Sequence, residues 1–418
     1  MHGTILAIGI ALLVFLRQPI VLILGCALAY VHSFMTRSSP EFLIQDMWIA
    51  VDREVLLSIP LFIFAGLIMA RGSIAQKLTR IMSALTSAVP GGLAVATVLS
   101  LTAFGAVSGA SSVTMLAVGT IMYPALLRHG YAKSFSLGLL CAGGTLGVII
   151  PPSLLMILYG IMTEVSITDL FIAGWGPGLL LTSLLAIYSV VRNWHMPTSR
   201  FDVSELLAAI RDGVWAVLMP VILLGGIYSG WFTVTEAAAV SVFYAIVIEL
   251  LVHRELTLRA FGNVVMETIK LQGSLMPLLA IAVSLNNILE LEGVPHALVA
   301  MMKSHIDSGA TLLVFTNLLL LAAGALMDES SAIIVLSPLL APLGESYGFH
   351  PIHFGMIVVV NLQIGYVAPP VALNLIVAMV AFKEPFSFIC RSVLPFIGLM
   401  MIGLVLTCAI PALSLFML

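Results

Sequence analysis

The sequence predicts an all-α polytopic membrane protein. The chain has 418 residues, of which 61% are hydrophobic and only 9% are charged, and its mean hydropathy is +1.16. Soluble globular chains carry about 25% charged residues, so most of this surface must face lipid. We expect about eleven transmembrane helices and two re-entrant helical hairpins, arranged as inverted repeats.

A Pro-Pro pair inside a long apolar segment occurs twice, which indicates an internal duplication. Pro151-Pro152 recurs 218 positions later as Pro369-Pro370, and Ser-Ser pairs at 111–112 and 330–331 precede them by 40 and 39 residues. Proline removes a backbone donor and clashes with the preceding turn, so each helix should unwind at its Pro-Pro pair. Broken helices at corresponding positions of two halves are typical of the ion and substrate sites of secondary transporters.

The remaining elements follow from the lengths of the apolar segments. Those that meet or approach the roughly 20 residues of a spanning helix lie at 3–16, 20–35, 55–70, 91–107, 134–150, 170–191, 213–230, 234–252, 266–289, 352–367 and 388–412. Shorter pieces interrupted by Ser, Gly or Pro, which we expect to form half-helices or hairpins, lie at 109–127, 152–165, 329–343 and 370–382. The first segment lacks a basic start and a cleavage site, and Arg17-Gln18-Pro19 ends it, so we interpret it as a retained helix.

These segments divide the chain into five parts. We expect N-terminal scaffold helices at 1–90, a first repeat unit at 91–192 with its hairpin at 108–112, a polar connector at 193–212, further scaffold helices at 213–308, and a second repeat unit at 309–418 with its hairpin at 328–331. In the first part, Arg71, Lys77 and Arg80 have the spacing of an amphipathic helix. Lys and Arg are spread over many loops, so the orientation of the termini stays open.

Several classes of protein are disfavoured. The four cysteines lack CxxC spacing, and the basic residues are scattered singly, which predicts neither a disulfide or metal framework nor a nucleic-acid partner. The sequence contains no P-loop, no dinucleotide fingerprint and no nucleophile–base pair. An intramembrane enzyme would need convergent catalytic groups, whereas the polar residues here fall into two copies of one motif. We therefore expect no enzyme and no cofactor.

The first candidate site combines a Gly/Ser-rich hairpin with the first Pro-Pro break. Hydroxyl oxygens and unpaired carbonyls suit a hard cation such as Na⁺, and half-helix N-termini favour an anionic group. A plain helix-packing seam would also be rich in Gly and Ser, but the recurrence of the Ser-Ser pair favours a binding site. The candidates are Ser108, Gly109, Ser111, Ser112, Gly144, Thr145, Pro151 and Pro152.

The second candidate site is the copy of the first in the other unit. Its candidates are Asp328, Ser330, Ser331, Asn361, Gly365, Ala368, Pro369 and Asn374. Amide side chains stand where the first copy has Gly and Thr, so the two sites should be related but unequal. Asp328 either binds a cation or stays hydrated at a wet hairpin tip. Glu236, in contrast, has the position of a helix-capping residue with Thr233 or Thr235.

Taken together, these motifs resemble the large membrane subunit of tripartite ATP-independent periplasmic (TRAP) transporters, the DctM-like permeases, over nearly the whole chain. The resemblance lies in SIPLF at 58–62, SGASS at 108–112, GTLGVIIPPS at 144–153, FIAG at 171–174, GGIYSG at 225–230, TEAAA at 235–239, HFG at 353–355 and PPVALNL at 369–375. Three positions depart from the family pattern: Ala368 replaces Thr or another polar residue, Val234 replaces a common Pro, and Arg17-Gln18 replaces a small residue.

The resemblance implies Na⁺-driven import of an organic acid across a bacterial inner membrane by an elevator mechanism, with a transport domain sliding past a scaffold. The Na⁺ sites would lie among the candidate residues above, without individual ligands being assigned. The implied partners are a small four-helix membrane subunit (DctQ-like) and a periplasmic substrate-binding protein (DctP-like). No four-helix segment precedes Met1, so we expect the small subunit to be a separate chain.

The substrate is less clearly indicated than the family. The tip around Asp328 resembles that of dicarboxylate members, which favours a C4-dicarboxylate. The alternative is an ion-coupled dicarboxylate carrier or exchanger that works without a binding protein. Neighbouring genes for a binding protein and a small subunit would separate the two.

Overall fold

The computed structural model describes residues 2–16, 18–35 and 41–418. These residues form helices and contain no strand. The N-terminal part contains α1 (His2–Phe15), α2 (Ile20–Phe34), α3 (Glu41–Val51), α4 (Ser58–Arg71) and α5 (Ile74–Leu85). Arg17, which was expected to help end the first helix, lies outside the described residues. The predicted all-α class is confirmed.

A first unit follows, which we define as residues 92–192. It contains α6 (Gly92–Ser108), α7 (Ser111–Arg128), α8 (Lys133–Gly144), α9 (Leu146–Ile149), α10 (Leu154–Thr163) and α11 (Ile167–Arg192). The central helices are α12 (Val203–Asp212), α13 (Val214–Tyr228), α14 (Val234–Ile246), α15 (Leu258–Leu291) and α16 (Val294–Lys303). The predicted polar connector therefore contains a helix of its own, α12.

A second unit, residues 309–409, repeats the helix order of the first. It contains α17 (Gly309–Leu326), α18 (Glu329–Ser346), α19 (Pro351–Tyr366), α20 (Leu373–Phe382) and α21 (Phe386–Ala409), and the short α22 (Ala412–Leu415) follows it. In both units a helical hairpin precedes a broken helix, whose second half has 10 residues, and a long closing helix ends the unit. Both Pro-Pro peptide bonds are cis.

Fewer helices have the length and composition of a membrane span than the sequence suggested. Six helices in the described ranges are long and apolar enough to cross a membrane, or up to eight if each of two bent pairs counts once. Several expected spans, such as α1 and α19, are shorter helices of 14 and 16 residues. The expected eleven spans therefore stay a prediction. One helix, α17, was absent from the apolar windows although its mean hydropathy is 2.0 over 18 residues.

The two units pack against each other, and the hairpin of each unit contacts the broken helix of the other. Helix α7 of the first hairpin contacts α20 of the second broken helix, and α18 of the second hairpin contacts α10 of the first broken helix. The closing helices α11 and α21 also contact each other. Around this pair, α4 contacts α6 and α7, while α15 contacts α18. Each hairpin therefore lies between the other unit and helices outside both units, which are α4 and α5 for the first hairpin and α15 and α16 for the second.

Helix α5 is amphipathic, as its sequence predicts. Its buried face includes Ile74, Leu78 and Ile81, and the helix packs on α6 and α12. Its exposed face forms ion pairs with α12: Lys77 Nζ lies 2.7 Å from Asp212 Oδ1, and Arg80 Nε lies 2.9 Å from Glu205 Oε1. The helices that lead into and out of the first unit are thus joined to each other.

A buried carboxylate fixes the start of α5. Glu249, in a π-helical turn at Val247–Val252 after α14, is fully buried and accepts hydrogen bonds from the backbone N–H groups of Ser73 and Ile74 at 3.1 Å. Unpaired N–H groups at a helix start bind a carboxylate well, because they carry the positive end of the helix dipole. A side chain at Gly72 would collide with this carboxylate. Glu249 therefore anchors α5 to α14.

We expect Glu249→Leu to lower the free energy of unfolding by about 3 kcal/mol or more, since two buried N–H groups lose their acceptor at about 1–3 kcal/mol each. The thermal midpoint of the detergent-solubilised protein measures this. Glu255→Leu, at an exposed position six residues later, is the matched control and should leave the midpoint nearly unchanged. Equal shifts in the two variants would contradict the anchoring role.

Candidate functional site

The tip of the first hairpin is a two-residue turn between α6 and α7. Gly109 has a φ of +61°, which is the left-handed region that favours glycine, and Ala110 is extended before α7 begins at Ser111. The hydroxyl oxygens of Ser108 and Thr114 lie 2.5 Å apart across the turn. A Cβ atom at Gly109 would lie 2.9 Å from the carbonyl oxygen of Pro152, so the first tip touches the first break.

The tip of the second hairpin is closed by Asp328. Its carboxylate accepts hydrogen bonds from the Ser331 backbone N–H at 2.8 Å and from the Ser331 hydroxyl at 2.5 Å, so Asp328 is the N-cap of α18. The sequence suggested cation binding or hydration at this residue, and the structure adds the capping role. Ser331 supplies both hydrogen-bond donors of this cap.

In each unit, one backbone N–H shortly after the Pro-Pro pair donates a hydrogen bond to the hairpin of the same unit. The N–H of Leu154 donates to the carbonyl of Gly109 at 3.3 Å, and the N–H of Ala372 donates to the carbonyl of Ala325 at 3.4 Å. Leu154 and Ala372 are 218 positions apart, which is also the offset between the two Pro-Pro pairs. The two repeat units therefore share this backbone hydrogen bond. The environments differ, however: Pro151 and Pro152 are buried, whereas Pro369 and Pro370 are exposed and Ala368 is half-buried.

Glycine pairs allow the first helix of each hairpin to cross the broken helix closely. A Cβ atom at Gly105 would lie 2.5 Å from the Cα of Gly147, and one at Gly365 would lie 2.8 Å from the Cα of Gly324. Real side chains essentially never come so near a neighbouring backbone, so only glycine fits these crossings. Gly144 is similarly close to α7, since its Cβ would lie 2.8 Å from the Cβ of Met115.

Asn374 connects the second unit to the first hairpin. From the start of α20, its amide nitrogen lies 3.2 Å from the hydroxyl of Ser111 and 3.4 Å from the carbonyl oxygen of Cys141, and its amide oxygen lies 3.2 Å from the hydroxyl of Ser112. The Ser112 hydroxyl also lies 3.2 Å from the hydroxyl of Tyr366. Ser111, Ser112, Tyr366 and Asn374 therefore form one polar cluster that joins the second unit to the first hairpin.

Two further buried amides lie along α19. Asn361 donates to the side-chain oxygen of Asn317 on α17 at 2.6 Å, and Gln363 donates to the carboxylate of Glu329 at 2.5 Å. The side-chain oxygens of Asn361 and Gln363 are buried without a hydrogen-bond partner. These oxygens are available to a bound water or cation. Asn361 belongs to the contact between α17 and α19 and does not reach the hairpin tips.

The two tips meet at a cavity of about 720 Å³. Ser108, Ser111 and Ser112 line it from the first tip, and Asp328, Glu329 and Ser330 from the second. Tyr366 also lines the cavity, and the wall is completed by residues of α4, α7, α10, α15 and α20, including Arg71 on α4 and Glu267 on α15. Helix α4 lies close to the first tip, because a Cβ at Gly66 would lie 3.0 Å from the Cα of Ser108.

The structure thus brings together most, but not all, of the predicted site residues. Five of them line the cavity: Ser108, Ser111, Ser112, Asp328 and Ser330. Directly behind these lie Gly109, Gly144, Pro152, Ser331 and Asn374. The remaining six have other surroundings: the Thr145 hydroxyl donates to the carbonyl of Ala142, Pro151 is buried in the first break, Asn361 and Gly365 contact α17, and Ala368 and Pro369 lie at the second break.

Most cavity residues were not among the candidates, and Glu329, Tyr366, Arg71 and Glu267 are those that carry a charged or phenolic group. Glu329 and Tyr366 directly adjoin predicted site residues in the sequence, which was the available signal. Arg71 and Glu267 lie on helices outside both repeat units, so the duplication gives no hint of them. Glu236 was interpreted correctly: it forms a capping box with Thr233, whose N–H donates to its carboxylate at 2.8 Å. In the described ranges, no group of three or more His, Cys, Asp or Glu residues is placed to hold a metal ion.

Two solved structures share the fold of this chain. The chain superimposes on the YdaH transporter of Alcanivorax borkumensis with a TM-score of 0.60 and 16% identity, over 90% of this chain and 89% of that one. The MtrF efflux pump of Neisseria gonorrhoeae gives a TM-score of 0.57 and 12% identity, over 87% and 82% of the two chains. The chain therefore shares the helical fold of these two proteins.

Sequence comparison then identifies the family. Residues 7–413 match the family described as the tripartite ATP-independent periplasmic transporter, DctM component. The chain is 39% identical to the C4-dicarboxylate TRAP large permease DctM of Pseudomonas aeruginosa, over 87% of this chain and 86% of the relative. It is 34% identical to the ectoine TRAP large permease TeaC of Halomonas elongata, over 90% and 89%. This chain belongs to the DctM family and is a multi-pass TRAP transporter large permease subunit, as the sequence motifs predicted.

A third relative has a larger chain. The isethionate TRAP permease DctMQ of Oleidesulfovibrio alaskensis is 36% identical over 96% of this chain but only 64% of its own length. The named relatives thus act on a C4-dicarboxylate, ectoine and isethionate at similar levels of identity. Identity alone does not select one of these substrates for this chain.

Proposed function

We propose that this permease carries out Na⁺-coupled import of an organic acid across a bacterial inner membrane. The observation that carries the proposal is the cavity in which both hairpin tips meet, because hydroxyl and carboxylate oxygens converge there beside two unwound segments. Such oxygens suit Na⁺, and the start of α7, which has no side-chain cap, supplies N–H groups that favour an anionic solute. A cavity of about 720 Å³ is large enough for a small organic acid with several waters.

The proposed movement is that of an elevator. The two interlocked units would form the transport domain and slide together past a scaffold that includes α4 and α15, with the substrate between the tips. The close approach of Gly66 to Ser108 supports this assignment, since a glycine on the scaffold side leaves a smooth surface for a moving tip. The contacts between the two units, α7 with α20 and α10 with α18, would keep them moving as one body.

The proposed partners are a small four-helix membrane subunit and a periplasmic substrate-binding protein. The three-part composition named for the family supports this proposal. We propose a C4-dicarboxylate as the substrate because the relative with 39% identity is named for that class. Isethionate and ectoine are the competing substrates, on the basis of relatives at 36% and 34% identity.

We expect the removal of Na⁺ to abolish uptake, since the cation neutralises the carboxylates near the substrate and its gradient supplies the driving force. The measurement is succinate uptake into proteoliposomes that contain the permease with its small subunit and binding protein, under an inward Na⁺ gradient. Replacing Na⁺ with choline and imposing only a proton gradient should leave background uptake. Full uptake under the proton gradient alone would contradict Na⁺ coupling, and full uptake without the binding protein would favour the simpler carrier.

A further inference from the structure

An ion pair outside both repeat units lines the cavity. Arg71, the last residue of α4, lies with its Nη2 2.9 Å from Oε2 of Glu267 on α15. Their side chains are 57% and 41% exposed, and both border the cavity between the hairpin tips. Since α4 contacts the first hairpin and α15 contacts the second, this pair spans the two helices that flank the tips.

The charges around the cavity make Arg71 unusual. It is the one positively charged residue among the described residues that line the cavity, whereas Asp328, Glu329 and Glu267 carry carboxyl groups. The Asp328 carboxylate is engaged by Ser331, and the Glu329 carboxyl group accepts from Gln363. An organic acid that enters this cavity is repelled by any ionised carboxylate there, and Arg71 is the positive group that the cavity wall itself offers.

We propose that Arg71 is a specificity-determining residue that binds the anionic group of the transported acid, and that Glu267 competes with the substrate for the guanidinium. A guanidinium carries five N–H donors in one plane, so it can pair with an incoming carboxylate or sulfonate while Glu267 gives up its contact. In this structure Glu267 holds the Arg71 side chain in place. This inference rests on the proposed function, in that an acidic substrate binds in this cavity.

A purely structural ion pair makes a different prediction. Exposed pairs contribute little to stability and do so symmetrically, because removing either partner breaks the same contact. In that case Arg71→Gln and Glu267→Gln should have equal and small effects. If Glu267 competes with the substrate, the two variants should instead shift the apparent affinity in opposite directions.

The test is the uptake of succinate, isethionate and ectoine by proteoliposomes that contain the permease with its two partners. For each compound that the unaltered protein transports, Arg71→Gln should raise KM by about 10- to 100-fold, the loss expected for a charge-assisted hydrogen bond, with the maximal rate little changed. Arg71→Lys should restore part of the affinity, and Glu267→Gln should lower KM. Arg211→Gln, at an exposed position on α12 away from the cavity, is the matched control.

Two outcomes would overturn the inference while leaving the proposed function intact. One is an unchanged KM in Arg71→Gln, and the other is an equal rise in KM in both variants. If the unaltered protein transports none of the three compounds, the proposed function fails for them, and thermal midpoints decide the inference. A compound that binds at Arg71 should raise the midpoint of the unaltered protein and of Glu267→Gln but not that of Arg71→Gln. No rise with any compound, or an equal rise in Arg71→Gln, would overturn it.

Discussion

Gly105→Ala and Gly365→Ala are each expected to yield little folded protein and no measurable uptake. The added Cβ would lie 2.5 Å from the Cα of Gly147 in the first variant and 2.8 Å from the Cα of Gly324 in the second. Both neighbours are backbone atoms that cannot rotate away, so the helices themselves must separate. Overpacking of this kind costs about 1–3 kcal/mol and occasionally more. The yield of monodisperse protein and its thermal midpoint measure the effect.

Two other helical glycines provide matched controls for these variants. Gly225 on α13 and Gly398 on α21 have no atom within 4 Å of the position that a Cβ would take. Alanine at these positions should be neutral or slightly stabilising, because it lowers the conformational entropy of the unfolded chain. Normal uptake by Gly105→Ala or Gly365→Ala would show that the crossings relax easily and are not required for the broken helices.

The second large effect is expected for Asn374→Leu, which should abolish uptake while a folded protein remains. Leucine has nearly the same size but removes the amide that contacts Ser111, Ser112 and the Cys141 carbonyl. Each of the buried polar groups left behind costs about 1–3 kcal/mol, so the first tip should rearrange or take up water. Initial uptake rates in proteoliposomes, together with the thermal midpoint, measure the result.

Asn263→Leu, at an exposed position on α15, is the control for this substitution. It introduces the same side chain and should leave uptake unchanged. Asn374→Asp provides a finer comparison, because it keeps an oxygen for Ser112 but has no N–H for Ser111. We expect it to retain less uptake than the unaltered protein. Uptake by Asn374→Leu at the control rate would show that the contact between the units is not needed for transport.

The sequence was sufficient for features that depend on neighbouring residues. The breaks at Pro151 and Pro369 follow from the missing donors of proline, and the turn at Gly109 follows from the small residues around it. The capping box at Thr233 and Glu236 depends on four consecutive residues. The amphipathic helix α5 was likewise predicted locally, from the spacing of Arg71, Lys77 and Arg80, although Arg71 ends α4 and only Lys77 and Arg80 lie on α5.

Contacts between distant segments could not be predicted in this way. Asn374 and Ser111 are 263 positions apart, and Glu249 and Ser73 are 176 apart, so no local pattern brings them together. The Arg71–Glu267 contact has a separation of 196 positions. Helix α17 is a different case. Its hydropathy was sufficient to predict a membrane span, although the expected apolar segments omitted it. Its polar residue Asn317 pairs with Asn361 inside the protein.

The two Pro-Pro pairs have unequal surroundings. Pro369 and Pro370 lie at the surface of the protein, whereas Pro151 and Pro152 are enclosed by it. A substitution at the second pair therefore alters the protein surface, whereas one at the first pair must be accommodated by buried neighbours. The duplicated halves have thus become unequal in how strongly their surroundings constrain them, although they descend from one pattern.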